Sequence, residues 1–253
     1  MLNEFFLTVG LTIAWLTLET LVIVLLPPIR RIAEKGYGLD LAVFGYTVFP
    51  ALFGSIFYSW AGFAGSLFGS LIALYAFFII DPMFRSRDTP TIIGLLNKKV
   101  GVFKNNLALL ATVIAVPCFV NLRLAEILVY PMLTFLVKLP PYKQGDWVNV
   151  SRHKYDGLTG ADLVWCLYCD WMTGVYSLAG DMLRNVESFW CPVRFKNPEK
   201  CANCVIDFPD IDEWAVPEEK SVEPVVELLE EKYFEKNPSK WNSWFGHSSR
   251  KDD

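Results

Sequence analysis

Apolar residues gather into long unbroken stretches in the first half of the chain and into short periodic ones in the second. Phe5 to Leu26 is mostly apolar and uncharged apart from Glu19, about the ~20 residues that a helix needs to cross hydrocarbon. Leu41 to Ile80 has forty positions without a charge, too long for one helix and long enough for two. A tight turn is expected near Ser59 to Gly62. Beyond a polar loop from Asp81 to Asn106, apolar character returns at Leu107 to Leu122 and at Leu124 to Val137. Both runs are short for a full crossing. They suit two thin or tilted spans, a re-entrant hairpin, or one long helix bent around Pro117 and Pro131. The predicted fold class is therefore mainly α: a multi-pass helical membrane bundle of four to five transmembrane helices over 1–138, with spans at 5–26, 41–58, 61–80, 107–122 and 124–138.

The first run does not read as a cleaved signal peptide. Glu4 precedes it with no basic residue, and it ends in Pro27-Pro28. In the third helix Ala61, Gly65, Gly69 and Ala73 recur every four residues, a small-residue face that lets another helix come close in lipid. That face serves packing inside the bundle or self-association.

After Lys138 the pattern changes. Leu139 to Gly160 reads as an irregular or short-strand connector leaving the membrane through Pro140-Pro141. Its PYKQGDWVNV string resembles the start of the cytoplasmic β-domain of small mechanosensitive channels over ten residues. The glycine/alanine-rich pore helix of such channels is missing, because Ala125 to Val137 contains no glycine, and their strand pattern does not follow. From Ala161 to Trp190, Leu163, Leu167, Trp171, Val175, Leu178 and Met182 recur at helical steps. Asp170 is the only charge from Leu163 to Gly180, so this helix suits a membrane surface or a sixth span. An acidic connector then leads to a short helix over Ser221 to Lys236, capped by Ser221, with Val222, Val225, Val226, Leu229 and Tyr233 along one side. Trp241, Trp244 and Phe245 near the C-terminus suit a peptide groove or a membrane surface. This gives a cysteine-rich domain at 139–210 and an acidic helical tail at 211–253.

Charge sets orientation. Residues 1–138 hold 10 Lys+Arg against 7 Asp+Glu, and residues 139–253 hold 13 against 20. The acidic second half argues against nucleic acid as a partner. Arg30, Arg31 and Lys35 follow the first span, and Arg85, Arg87, Lys98, Lys99 and Lys104 follow the third, which makes both loops cytoplasmic. Five crossings then leave the N-terminus outside and the C-terminal domain in the cytoplasm of a cell with this chain in its inner membrane or an equivalent one.

That compartment decides how the cysteines read. Cys166 and Cys169 form one CxxC, Cys191 stands alone, and Cys201 and Cys204 form a second CxxC. In a reducing compartment two such pairs supply the four thiolates of a zinc site, and the same set, with Cys191 replacing one thiolate, suits an iron–sulfur cluster. Free buried thiols or a redox dithiol at Cys166 and Cys169 are further options. Within the membrane half Glu19, Arg123 and Glu126 are the ionisable candidates. Glu19 suits cation or proton handling, or a structural bond to Arg123 or a tyrosine. No histidine lies in any span, which excludes a haem held by two membrane histidines. No phosphate-binding glycine loop, zinc-protease or nucleophile-elbow motif occurs. The expected function is a subunit or scaffold of a membrane complex with a cysteine-bound metal. An iron–sulfur electron-transfer subunit, or a small channel or transporter using Glu19 and the third helix, are the alternatives.

Overall fold

A computed structural model describes residues 1–84, 90–190, 221–230 and 241–242 of the chain. The described residues are mainly helical, with no strand among them. Contacts divide the chain into two compact units: Met1–Val116 with Lys143–Gly174, and Pro117–Tyr142 with Val175–Asp253.

Three helical stretches of the described residues are long and apolar enough to cross a membrane: Leu2–Leu25, Gly36–Phe84 and Val102–Val137. The first is α1. Pro27 and Pro28 then open a short helix α2, Pro27–Ala33, after an extended break at Leu26. The second stretch, α3, has 49 residues, which at ~1.5 Å each would be more than twice as long as a hydrocarbon core of ~30 Å is thick. It does not run straight. Ser59 takes φ 56° and ψ −146°, a sparsely populated conformation that breaks the helix inside the turn region expected from the sequence.

The two arms of α3 meet across this break. A Cβ on Gly62 would fall 2.9 Å from the carbonyl carbon of Gly54, and one on Gly54 would fall 2.8 Å from that of Gly62. Residues eight apart in a straight helix would lie about 12 Å apart, so these contacts require a hairpin. Both arms pack on α1. Trp15 stacks near Phe49 with ring centroids 4.6 Å apart, and its Nε1–H donates to the Gly45 carbonyl at 3.1 Å. Thr12 lies against Gly69, and Thr8 against Gly65. Along α1 the first arm therefore runs antiparallel and the second parallel. The Ser59 turn shares one end of the bundle with Met1, and the other end gathers α2, Gly36 and Phe84.

The small-residue face of the third helix is accordingly taken up inside the chain. Gly65 and Gly69 are buried, with Ala61 and Ala73 half-buried on the same face. Their missing side chains admit the backbone of α1: a Cβ on Gly65 would lie 2.6 Å from the Phe5 oxygen, and one on Gly69 2.9 Å from the Val9 oxygen.

The segment expected as a polar loop, Asp81 to Asn106, is largely helical. Asp81 to Phe84 still belong to α3, Thr91 caps α4 (Ile92–Val100) by accepting from the Gly94 N–H at 3.2 Å, and α5 runs over Val102–Val113. Gly101, at φ 90°, separates the last two. The helical path continues as α6 (Val116–Leu124), a π-helical turn at Ala125–Val129 and α7 (Tyr130–Val137), which Lys138 ends in the left-handed conformation.

The connector after Lys138 is irregular, as expected, with a one-turn helix α8 at Gln144–Trp147. It pairs with the chain between α2 and α3: the Gly36 N–H donates to Val148 O at 2.7 Å and the Val150 N–H to Glu34 O at 2.8 Å. Helix α9 covers Gly160–Trp190, close to the expected limits, and buries Leu163, Trp171, Val175, Leu178 and Met182. In the tail, α10 is described over Glu223–Glu230, with the Ser221 hydroxyl accepting from the Glu223 N–H at 3.4 Å. Val225 is buried and Val222 and Val226 are exposed. Tyr233, Trp244 and Phe245 lie outside the described residues, while the Asn242 N–H donates to Lys138 O at 2.8 Å.

Because Gly65 faces backbone, Gly65→Val is expected to destabilise the bundle by about 1–3 kcal/mol. Gly10, with nothing within 4 Å of an added Cβ, should accept alanine at little cost. Unfolding of the detergent-solubilised chain in denaturant would show both effects.

Candidate functional site

The end of the bundle opposite Ser59 carries most of the polar chemistry of the first unit, and three carboxylates organise it. Asp81, at the end of the second arm of α3, accepts the Gly160 N–H at 2.8 Å and so holds the start of α9. Gly160, at φ 52°, fits there because a Cβ would meet the Phe78 oxygen at 2.9 Å. In the first turn of α9, Asp162 accepts the Ile92 and Ile93 N–H groups at 2.7 and 2.9 Å. These are free donors at the start of α4, where a carboxylate also meets the positive end of the helix dipole.

Asp170 does the same for the connector. It accepts the backbone N–H groups of Ser151 and Arg152, both at 3.0 Å, and pairs with the Arg152 Nε at 2.7 Å. His153 Nε2 lies 3.0 Å from Glu34 Oε1, and the Tyr168 hydroxyl donates to Thr112 O at 3.2 Å. Gly174 admits the connector, since a Cβ there would lie 3.0 Å from the Val148 Cα. The first half of α9 is thus fixed to α3, α4, α5 and the connector through backbone groups.

Cys166 and Cys169 lie on this fixed half, three residues apart and so on one helical face. Both are half-buried free thiols. Burial raises the Cys166 thiol above its ordinary range, with the Arg152 guanidinium opposing that shift. Two thiols on one face fit half of a tetrahedral thiolate site. Among the described residues no third His, Cys, Asp or Glu joins them to make a metal-binding group. Cys191, Cys201 and Cys204 lie outside the described residues.

Of the intramembrane candidates, Glu19 belongs to the first unit and Arg123 and Glu126 to the second. Glu19 is half-buried where α1 crosses the first arm of α3, its carboxylate against Gly45. One residue on, the Thr20 hydroxyl hydrogen-bonds the Tyr46 hydroxyl at 2.8 Å. Arg123 Nη1 pairs with Glu126 at 2.5 Å, with the two side chains 0% and 2% exposed. Glu126 sits in the π-helical turn.

The second unit also holds polar groups that sequence periodicity did not single out. Tyr130, one turn beyond Glu126, donates its hydroxyl to Pro140 O at 3.0 Å and packs edge-on against Tyr142. Asn185 Nδ2 donates to the Tyr142 hydroxyl at 2.5 Å, and Asp181 pairs with Arg184 at 2.9 Å. Asp181, Asn185 and Ser188 are buried on α9 at four- and three-residue steps. That spacing marks a polar stripe opposite Tyr176 and Leu183; what the sequence did not show was that this stripe is buried along with Val175, Leu178 and Met182.

Asp162→Ala is expected to leave the Ile92 and Ile93 amides without their acceptor and to cost about 1–2 kcal/mol of local stability, with Asp162→Asn intermediate. Amide hydrogen exchange at these two residues would measure it. No protein-family model, no curated protein and no solved structure matches the chain, so these contacts carry the functional reading by themselves.

Proposed function

We propose that the chain is a multi-pass membrane subunit that holds a thiolate-bound metal on the cytoplasmic side of the bilayer and acts as a scaffold in a membrane complex. The observation that carries this is the fixing of the CxxC-bearing half of α9 to one end of the bundle by Asp81, Asp162 and Asp170. A ligand helix held through backbone hydrogen bonds keeps its thiols in place before metal arrives, which lowers the ordering cost of coordination. Zinc would link Cys166 and Cys169 to thiols from among Cys191, Cys201 and Cys204, and would add folding free energy to an acidic region with little apolar content.

Orientation follows from charge and from where the connector returns. Arg30, Arg31 and Lys35 lie at the end of the bundle where Val148 and Val150 bond to Gly36 and Glu34. Basic residues favour the cytoplasm. The chain leaves this end through α4 and is back by Lys143, so whatever course it takes between them crosses the membrane an even number of times. With α1 and the two arms of α3 the total is odd, which leaves Met1 outside and α9 inside. No observation favours the channel alternative, because the glycine face of the third helix is filled by α1.

The purified full chain should contain about one equivalent of zinc, lost in Cys166→Ser/Cys169→Ser. Visible absorption bleached by dithionite would instead identify an iron–sulfur cluster, and a metal-free chain prepared with its thiols protected from oxidation would end the metal reading. For orientation, Trp60→Cys should react with a membrane-impermeant thiol reagent in intact cells, and Lys154→Cys only after permeabilisation. The opposite pattern would invert the topology.

A further inference from the structure

The polarity of α4 and the start of α5 is inside out. The surface the two helices share is polar: Asn105 is buried, and its Nδ2 donates to Asn97 Oδ1 at 2.9 Å. The outer surface is apolar, with Leu95 67%, Ile92 52% and Phe103 79% exposed, and Leu96 and Val100 exposed beside them. In water this arrangement would leave apolar groups wet and place amides in the protein interior. In a lipid interface it puts each group where its transfer free energy favours it.

Cations are set among these apolar groups. Lys98 and Lys99 stand exposed in the last turn of α4, and Lys104 is exposed in the first turn of α5. There is no Asp or Glu from Thr89 to Ala125, and none of the three lysines has an ion-pair partner among the described residues.

The depth of this surface is also fixed. The uncharged run of α3 ends at Ile80, Asp81 binds the Gly160 N–H, and Asp162 binds the first N–H groups of α4. α4 therefore begins at the level where the apolar run of the bundle stops, which is the level of lipid headgroups.

From these three observations we infer that α4 and the first turn of α5 form an interfacial platform that binds anionic phospholipid, the apolar side chains entering the acyl boundary and Lys98, Lys99 and Lys104 meeting the headgroup phosphates. The inference rests on the membrane reading above. It makes the platform selective: a zwitterionic headgroup offers the same acyl chains but no net charge, and each lysine near an anionic surface adds to the attraction. Salt weakens the selectivity, because these charges are exposed.

The test uses the full chain reconstituted in phosphatidylcholine bilayers with trace spin-labelled phosphatidylglycerol or phosphatidylcholine. Electron paramagnetic resonance then reports the motionally restricted fraction of each lipid. The expected result is a preference for phosphatidylglycerol that falls by about twofold or more in Lys98→Gln/Lys99→Gln/Lys104→Gln and survives in Arg30→Gln/Arg31→Gln. An undiminished preference in the triple variant overturns the inference. So does its abolition by millimolar inorganic phosphate at constant ionic strength, which would mark a site for a free anion. If neither lipid shows a restricted fraction, the membrane reading fails and this inference with it. Restricted lipid without headgroup preference removes this inference alone.

Discussion

Close contact between helix backbones is the constraint on which the rest of the first unit depends. In lipid, apolar side chains gain little by leaving one apolar surface for another, so helices associate where small residues let many atoms touch. Gly54 and Gly62 bring the arms of α3 together, and Gly65 and Gly69 bring the second arm against α1. The facing residues of α1 are Thr8 and Thr12, both buried. The Thr8 hydroxyl turns back to donate to its own helix, at 2.8 Å from Glu4 O and 2.9 Å from Phe5 O. The hydroxyl that meets Gly65 is thus satisfied within α1, and the contact stays close.

With the bundle closed in this way, the positions of its ends follow. α2 and Gly36 at one corner and Asp81 at another are fixed points to which the connector and α9 attach. At the first corner the connector attaches through backbone–backbone bonds, whereas the attachments of α9 use charged acceptors on backbone donors, which are stronger than neutral hydrogen bonds and need no matching side chain on the other partner. A different economy governs Arg123 and Glu126. A buried ion pair contributes little net stability after desolvation, yet removing one partner costs roughly 3–5 kcal/mol. Its place in a π-helical turn, a feature common at functional sites, gives the pair a fixed geometry and makes it a determinant of local conformation more than of overall stability.

How much of this could be read from the sequence depended on whether the cause was local. The α1 run, the turn at Ser59, the small-residue face of the third helix and the limits of α9 all follow from periodicity and charge within a few residues. The helix α4 and the first turn of α5 were missed because Lys98, Lys99, Gly101 and Lys104 interrupt the apolar pattern, and because an inside-out helix gives the same alternation as a soluble one with its faces exchanged. Asp162 and Asp170 looked like an ordinary first-turn acid and a lone charge. Their partners lie 69 to 70 and 18 to 19 residues away, beyond any local pattern. The thiol pair on one face was legible, since i,i+3 spacing requires it; the remaining cysteines fall outside the described residues.

These placements bear on where a function would be located. A pathway along the third helix would need its small-residue face to line open space, but that face meets α1 backbone at Gly65 and Gly69. Opening a route there means separating α1 from α3 and losing the contact that organises the bundle. Glu19, half-buried against Gly45, is likewise placed at a helix crossing. The polar and basic groups of the first unit instead concentrate at one end, where backbone donors, carboxylates, thiols and lysines are held together by the connector and α9. On this arrangement the proposed thiolate site would sit at an end of the bundle, on elements that the bundle immobilises.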